Sequence, residues 1–257
     1  MPYILENMTQ DDIPQVAKIE RLCFSLPWPT SAYRRELKTP DTNRYIVERF
    51  IPSQEVASLG LAPPTEATLT TLHHPQLAPP NGSEPAEKSD PGLLSRWATL
   101  LPWVRNGSDP TSAHDTITSP YPLSGYAGLW LMVDEAHVTT IGVHPDHRGQ
   151  GAGELLFLGL ADIAQEMRAT RITLEVRVSN LSAQALYRKY GLEIAGVRRR
   201  YYSDNGEDAY IMWSEPLASA DYRNRIANLR ARLAERLIAG FYTQQPPAHM
   251  GDSTRLQ

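Results

Sequence analysis

The sequence predicts an α/β fold, and three observations carry this prediction. Segments with the two-residue period of strands alternate with segments of helical period. A turn with glycines at positions 149, 151 and 153 joins a strand to a helix. A proline-rich stretch interrupts the alternation, since 12 of the 21 prolines lie within residues 52–123. We therefore predict one domain over residues 1–216, interrupted by this insert and followed by a helical C-terminal extension over residues 217–257.

The overall composition is that of an ordinary globular protein. The 257 residues are 41% hydrophobic and 21% charged, with a formal net charge of -4, so neither nucleic-acid binding nor stable membrane association is expected. Cys23 is the single cysteine, which excludes an internal disulfide. The N-terminal segment is acidic and has no apolar run typical of a signal peptide. These features predict a cytoplasmic protein.

Before the insert, the patterns predict two strands flanking two helices. Residues 2–7 form the first strand, and residues 9–24 form a helix with Thr9 as its N-cap. A short helix over 31–38 and a strand over 44–50 follow.

The insert over residues 52–123 is rich in Pro, Ser and Thr and has no clean period, which predicts a largely disordered segment. Within it, residues 92–104 place Leu and Trp at helical spacing. This segment is either a helix that packs back on the domain or a docking helix for a partner or a membrane surface.

After the insert, strand and helix patterns resume without interruption. Asp134–Glu135 is the predicted turn between the first two strands, and Gly191 is the predicted end of the second helix. The predicted elements are strands within 124–143, a helix over 151–167, a strand over 171–178, a helix over 180–191, a hairpin over 192–213 and a basic amphipathic helix over 220–242.

The glycine turn predicts a phosphate-binding site. The first turn of a helix exposes unpaired N–H groups at the positive end of the helix dipole, and glycines let an anion approach them. The Walker pattern fails, because Glu154 and Leu155 stand where Lys and Ser or Thr are required. The dinucleotide pattern also lacks its third glycine, although Glu175 lies near the position of a ribose-binding acid, so a dinucleotide ligand stays open.

Several motifs together resemble one family. Arg148 to Gly153, "RGQGAG", fits the acetyl-coenzyme A motif [Q/R]-x-x-G-x-[G/A] of the GNAT N-acetyltransferases. The stretches "TTIGVHPDHRGQG", "LEVRVSNLSAQALYRKYGL", "RRRYYSDNGEDAYIMW" and "IERLCFSLPWP" resemble the ribosomal-protein-alanine N-acetyltransferase (RimI) type of that superfamily. The resemblance covers about residues 2–50 and 124–215 and implies a mixed, mostly antiparallel sheet that is splayed where the coenzyme inserts.

The resemblance implies acetyl-CoA as the co-substrate. An N–H group near Val143 would polarise the thioester carbonyl, and Gly142 would allow a close approach unless it serves a strand bulge. Asn180 would contact the coenzyme as well as cap its helix. The implied coenzyme-binding residues are Ile141, Gly142, Val143, Arg148, Gly149, Gln150, Gly151, Ala152, Gly153, Glu154 and Asn180.

Two residues are implied to be catalytic. Alternation along its strand shows Glu175 only as a polar-face residue, but the resemblance makes it the general base, acting through water. For this task we expect a carboxylate with a raised pKa. Tyr187 reads from its pattern as a packing residue, and the resemblance makes it the general acid that protonates the leaving thiolate.

The candidate substrate-binding residues are aromatic. Trp28, Tyr201 and Tyr202 are expected to line a groove for a peptide N-terminus, although ordinary surface or core packing explains them equally well. His144 and His147 have no third ligand at a suitable spacing, so no metal is expected.

The sequence therefore predicts transfer of acetyl from acetyl-CoA to the α-amine of a protein N-terminus. The resemblance implies, as the first candidate substrate, the N-terminal alanine of protein eighteen of the small ribosomal subunit. Acetylation of a small amine or a lysine side chain, a non-catalytic coenzyme sensor and a nicotinamide-dinucleotide binder are the alternatives. The oligomeric state stays open.

Overall fold

One seven-stranded sheet organises the protein. The computed structural model describes residues 3–51 and 121–243, with side-chain surroundings up to Leu237. Within them the strand order is β1-β2-β3-β4-β5-β7-β6. The strands are β1 (Tyr3–Asn7), β2 (Asn43–Phe50), β3 (Leu123–Met132), β4 (Glu135–Val143), β5 (Arg171–Arg177), β6 (Leu192–Tyr202) and β7 (Glu207–Ser214).

Helices cover both faces of the sheet. On one face, Ile13, Val16 and Tyr33 of the first two helices pack against β2 and β3. On the other face, the remaining three helices share a larger core with β1 to β5. The described helices are α1 (Ile13–Cys23), α2 (Thr30–Glu36), α3 (Ala152–Glu166), α4 (Leu181–Lys189) and α5 (Ala220–Thr243), and single 3₁₀ turns span Gln10–Asp12 and Pro145–His147.

The predicted mixed, mostly antiparallel sheet is confirmed. Every neighbouring pair of strands is antiparallel except β4 and β5. Parallel pairing joins Glu135–Val138 to Arg171–Leu174 and goes no further, although both strands continue. The sheet is therefore split between the second half of β4 and the end of β5, as expected.

Helix α3 is the central helix of the larger core. Its leucine-rich sequence is apolar on nearly every side, and Leu155, Leu156, Phe157 and Leu158 are all fully buried. A helix that is apolar all round is stable only when it is covered on all sides. The sheet covers one side of α3, and α5 covers another.

The proline-rich insert falls between two paired strands. Phe50 N–H donates to the Pro122 carbonyl at 3.1 Å, so the two ends of the insert lie next to each other and the sheet is continuous. Strand β3 begins at Leu123, the last residue of the predicted insert. The predicted helix over 92–104 lies outside the described residues.

The C-terminal extension belongs to the core where it is described. Apolar residues recur along α5 at spacings of three and four, and they pack into the same cluster as α3. They are Tyr222, Ile226, Leu229, Leu233 and Leu237. Among the described residues, no helix is long and apolar enough to cross a membrane.

Candidate active site

The split leaves a free backbone edge on β4. His144 N–H donates to the Ser124 carbonyl of β3 at 2.8 Å. Because backbone groups alternate between the two sides of an antiparallel strand, those of Ile141 and Val143 point away from β3 and into the split. Residue 143 pairs with Gly125 on β3 but has no partner on β5. On the edge expected to hold the coenzyme, Val143 N–H therefore has no strand partner.

The predicted phosphate-binding turn presents unpaired N–H groups. Leu155 N–H is the first to enter the helical ladder of α3, donating to the Gly151 carbonyl at 2.9 Å. The N–H groups of Ala152, Gly153 and Glu154 precede it and have no acceptor within the helix. They lie at the positive end of a 15-residue buried helix, where an anion is stabilised.

The three glycines of this turn have different roles. Gly149 and Gly151 have φ of 73° and 98°, in the left-handed region that favours glycine. A Cβ on Gly151 would also lie 3.0 Å from Leu233 Cδ1. Gly153 is helical, and a Cβ there would meet Val143 Cγ2 only at 3.5 Å. The backbone conformation alone therefore favours glycine at positions 149 and 151, whereas at Gly153 neither the conformation nor the packing of the fold requires it.

Gly142 is explained by packing within the protein. A Cβ at this position would lie 2.5 Å from the Tyr126 ring. The β3–β4 irregularity falls at Gly128/Leu129, away from Gly142. Neither the expected close approach of a coenzyme nor a bulge is needed to account for this glycine.

Arg148 turns toward the strand. Its Nε donates to the Val143 carbonyl at 3.2 Å, and Nη2 lies 3.4 Å from Cys23 Sγ. Cys23 donates to the same carbonyl at 3.3 Å, and burial raises the pKa of its thiol despite Arg148. Gln150 is held by donation to the Asp146 carbonyl at 2.7 Å and by acceptance from Tyr3 at 3.3 Å. The side chains of Arg148 and Gln150 therefore brace the turn.

Two further predicted coenzyme residues have structural roles. The Asn180 side chain accepts from Ala183 N–H at 3.1 Å, which confirms it as the N-cap of α4. The buried Glu154 carboxylate accepts hydrogen bonds from Lys189, Tyr190 and Arg236. Burial alone would raise the pKa of this carboxyl, but these three donors hold it below its usual value.

Glu175 lies directly beside the split. It is the first residue of β5 after the last pair with β4, and its side chain is 7% exposed. Oε2 lies 3.1 Å from His137 Nε2, and Oε1 lies 3.0 Å from Arg198 Nε. Burial raises the pKa of Glu175, but His137 and Arg198 outweigh it and the net pKa is below the ordinary value. The expected raised pKa is therefore wrong, because the interactions of this carboxylate with His137 and Arg198 outweigh the effect of its burial.

Tyr187 lies on the other face of the sheet. Its ring packs against Phe157 with centroids 5.7 Å apart, within the core that holds α3 and α4. Burial raises the pKa of its phenol, with a smaller contribution from Tyr202. Among the described residues its hydroxyl makes no hydrogen bond. No hydrogen bond joins Tyr187 to Glu175 either, so the two predicted catalytic residues flank the split without touching.

Tyr202 interacts electrostatically with both Tyr187 and Glu175. Burial raises its pKa to about 12, and the charges of Arg177 and Glu175 act on it as well. The Arg177 guanidinium lies 3.8 Å from the centre of the Tyr202 ring. Arg200 has φ of 51° where the β6–β7 register shifts, and this irregularity lets the Tyr201 and Tyr202 rings meet at 5.2 Å.

The loop between α1 and α2 approaches the β6–β7 hairpin. Ser25 Oγ donates to Asp204 in the hairpin turn, and Arg177 binds the same carboxylate at 2.7 Å. Trp28 itself packs between Tyr33 and Trp130, with its ring centroid about 6 Å from each of theirs. These packing contacts account for Trp28 without a substrate. The exposed apolar side chains of this region are Phe24, Leu26 and Tyr201.

Sequence reasoning missed His137 and Arg198 as partners of Glu175, and Cys23 as a partner of Val143. The alternation along β4 indicates which face of the sheet His137 lies on. No pattern within β4 or β5 alone, however, shows that its side chain contacts Glu175. Among the described residues no group of three His, Cys, Asp or Glu is placed to hold a metal ion.

A sheet that opens beside a glycine turn, with a carboxylate at the opening, is the architecture of an acetyltransferase. The model of the acetyltransferase (GNAT) family matches residues 88–192. A putative [ribosomal protein bS18]-alanine N-acetyltransferase of Bacillus subtilis is 42% identical over 122 residues, covering 44% of this chain and 78% of that protein. The chain belongs to the GNAT acetyltransferase family.

Two further proteins are similar. N-alpha-acetyltransferase RimI of Mycobacterium tuberculosis is 45% identical over 94 residues, covering 35% of this chain and 58% of that protein. The crystal structure of the ribosomal-protein-S18-alanine N-acetyltransferase from Escherichia coli superimposes with a TM-score of 0.51 at 20% identity, covering 85% of this chain and 96% of that one. The similarity to the Escherichia coli crystal structure supports the fold.

Proposed function

We propose that this protein transfers the acetyl group of acetyl-CoA to the α-amine of a protein N-terminus, with the N-terminal alanine of ribosomal protein bS18 as its first substrate. The observation that carries the proposal is the split between β4 and β5, which has the free N–H groups of residues 152–154 at one end and the Glu175 carboxylate beside it. The names of the Bacillus subtilis and Escherichia coli relatives support the substrate. The proposal includes a reaction in the cytoplasm, where ribosomal proteins are made.

The turn and the strand edge fit the coenzyme. The N–H groups of Ala152, Gly153 and Glu154 would hold the diphosphate, and the backbone of Ile141 together with the N–H of Val143 would hold the pantetheine arm. Acetyl-CoA supplies an activated thioester carbonyl. Val143 N–H, directed into the split, is the donor that would stabilise negative charge on the thioester oxygen.

The reaction joins the amine nitrogen to the carbonyl carbon and breaks the carbon–sulfur bond. An α-amine has a pKa near 7.7–8.0, so about a tenth of it is neutral at pH 7 without help. Glu175 is ionised at that pH, since its pKa lies below the ordinary carboxyl value. A carboxylate of this kind orders the amine and accepts its proton through water.

Tyr187 protonates the departing thiolate. Its phenol is neutral at working pH because burial raises its pKa, and Phe157 fixes its ring. The hydroxyl, which forms no hydrogen bond among the described residues, is available as a proton donor. Glu175 and Tyr187 act from opposite faces of the split, which matches an amine and a coenzyme that enter from opposite sides.

Mass spectrometry of acetylated peptides tests the proposal. Three matched substrates are incubated with acetyl-CoA: a peptide that begins with Ala, the same peptide with a blocked N-terminus and an internal Lys, and a small amine. We expect a gain of about 42 Da on the first alone, the mass that a new N-acetyl amide adds. Acetylation of the lysine or the small amine instead would establish the alternative acceptor, and coenzyme binding without any product would establish a sensor.

A further inference from the structure

The C-terminal helix α5 reaches the phosphate-binding turn. Leu233 Cδ1 and Leu237 Cδ2 would lie 3.0 Å and 3.2 Å from a Cβ on Gly151, so the helix packs directly on the backbone of the turn. Both leucines are at most 4% exposed. Helix α5 thus covers Gly151, the N-cap residue of α3, which has a left-handed backbone conformation.

Helix α5 also places a positively charged side chain, Arg236, beside the same turn. The Arg236 guanidinium donates to Glu154 Oε2, while Lys189 of α4 donates to Oε1. The Arg236 and Lys189 side chains are 57% and 37% exposed, and the Glu154 side chain is 8% exposed. The buried carboxylate therefore has its counterions on its solvent side.

Glu154 creates an electrostatic conflict at this position. It is the third residue of α3, and the N–H groups of residues 152–154 are the ones that would receive a diphosphate. A carboxylate in this first turn repels that ligand. One carboxylate and two cations leave a local charge of +1, and removal of Arg236 leaves the cluster neutral.

We propose that Arg236 of α5 is a positioning residue of the coenzyme site. It offsets the charge of Glu154 and, with Leu233 and Leu237, holds the 149–154 turn in its binding conformation. The C-terminal extension, which the family motifs do not include, is on this account part of the coenzyme site. The inference rests on acetyl-CoA being the co-substrate.

Arg225 provides a matched control on the same helix. Its Nη2 lies 2.7 Å from Glu215 Oε1, and its side chain is 42% exposed, close to that of Arg236. The two arginines are 11 residues apart, which is about 16 Å along a helix. Arg225→Gln removes a comparable ion pair without touching the turn.

Calorimetric titration of the full chain with coenzyme A tests the inference. Arg236→Gln should weaken the affinity about fivefold, whereas Arg236→Lys and Arg225→Gln should change it less than twofold. The turnover number at saturating acetyl-CoA should change less than twofold in Arg236→Gln, because the effect is on binding. Dephospho-coenzyme A, which keeps the diphosphate and lacks the 3′-phosphate, should show the same fivefold loss.

Each result separates the possibilities. Wild type that binds no coenzyme A would refute the proposed function itself. Wild type that binds, with equal affinities for Arg236→Gln and Arg225→Gln, would refute the role of Arg236 alone. A loss seen with coenzyme A but absent with dephospho-coenzyme A would place Arg236 at the 3′-phosphate and overturn the charge mechanism. Should Arg236→Gln fail to fold, Lys189→Gln removes the other cation, and unchanged affinity there also counts against the inference.

Discussion

The two sides of the split hold their functional groups in opposite ways. On the side of α3, the turn at residues 149–154 offers backbone N–H groups that the fold leaves unpaired. On the side of α1 and α2, the Glu175 carboxylate is held by His137 of the adjacent strand β4 and by Arg198 of β6, the second strand away on the other side. The first arrangement depends on local backbone conformation and the second on contacts between distant residues. Binding and chemistry should therefore respond to different substitutions.

Glu175→Gln should produce the largest effect and should act on chemistry alone. Loss of the carboxylate removes the proton acceptor, so the turnover number should fall at least tenfold and toward a hundredfold. The affinity for coenzyme A, measured by calorimetry, should stay within twofold of wild type. Wild-type turnover in this variant would remove Glu175 from the mechanism.

Tyr187→Phe should follow, with a fall in turnover of about tenfold. The change removes one hydroxyl that has no hydrogen-bond partner among the described residues, so the melting temperature should not fall. Tyr222→Phe is the control, since its buried hydroxyl likewise has no hydrogen-bond partner among them. Equal turnover in the two variants would make Tyr187 a packing residue.

Arg198→Gln tests why the pKa of Glu175 is low. The loss of this cation should raise that pKa toward the ordinary carboxyl value. The carboxylate is then protonated earlier as the pH falls, so the acidic limb of the kcat/KM profile should move to higher pH. Arg199→Gln, at the adjacent exposed position, should leave the profile in place. A profile that is the same in both variants would mean that Arg198 does not control the carboxylate.

Gly153→Ala should have the smallest effect and should weaken coenzyme binding without destabilising the fold. The added Cβ meets Val143 at an ordinary contact distance, and alanine has a higher helix propensity than glycine, here at the second residue of α3. The melting temperature should therefore rise slightly, while the affinity for coenzyme A falls about threefold because the Cβ obstructs a close ligand. Unchanged affinity would show that no ligand approaches the backbone here.

The sequence predicted the local features of this molecule well. Periodicity gave the seven strands and the order of the helices, and turn chemistry gave the N-cap at Asn180 and the glycine turn. These features depend on residues within about ten positions of each other. The two positive-φ glycines of the turn follow from the same local rule.

The partners of the site could not be predicted in this way. His137 and Arg198 lie 38 and 23 residues from Glu175, and only the strand order brings them to it. The role of Gly142 depends on the Tyr126 ring of a neighbouring strand. The docking of α5 on Gly151 depends on side chains more than 80 residues away. Each of these requires the tertiary structure.

A crystal structure with coenzyme A and a peptide that begins with alanine tests the central claim most directly. The account predicts the diphosphate on the N–H groups of residues 152–154, the pantetheine arm along Ile141–Val143 and the peptide amine on the Glu175 side of the split. A coenzyme bound elsewhere, or an amine on the same face as Tyr187 and out of reach of Glu175, would contradict it.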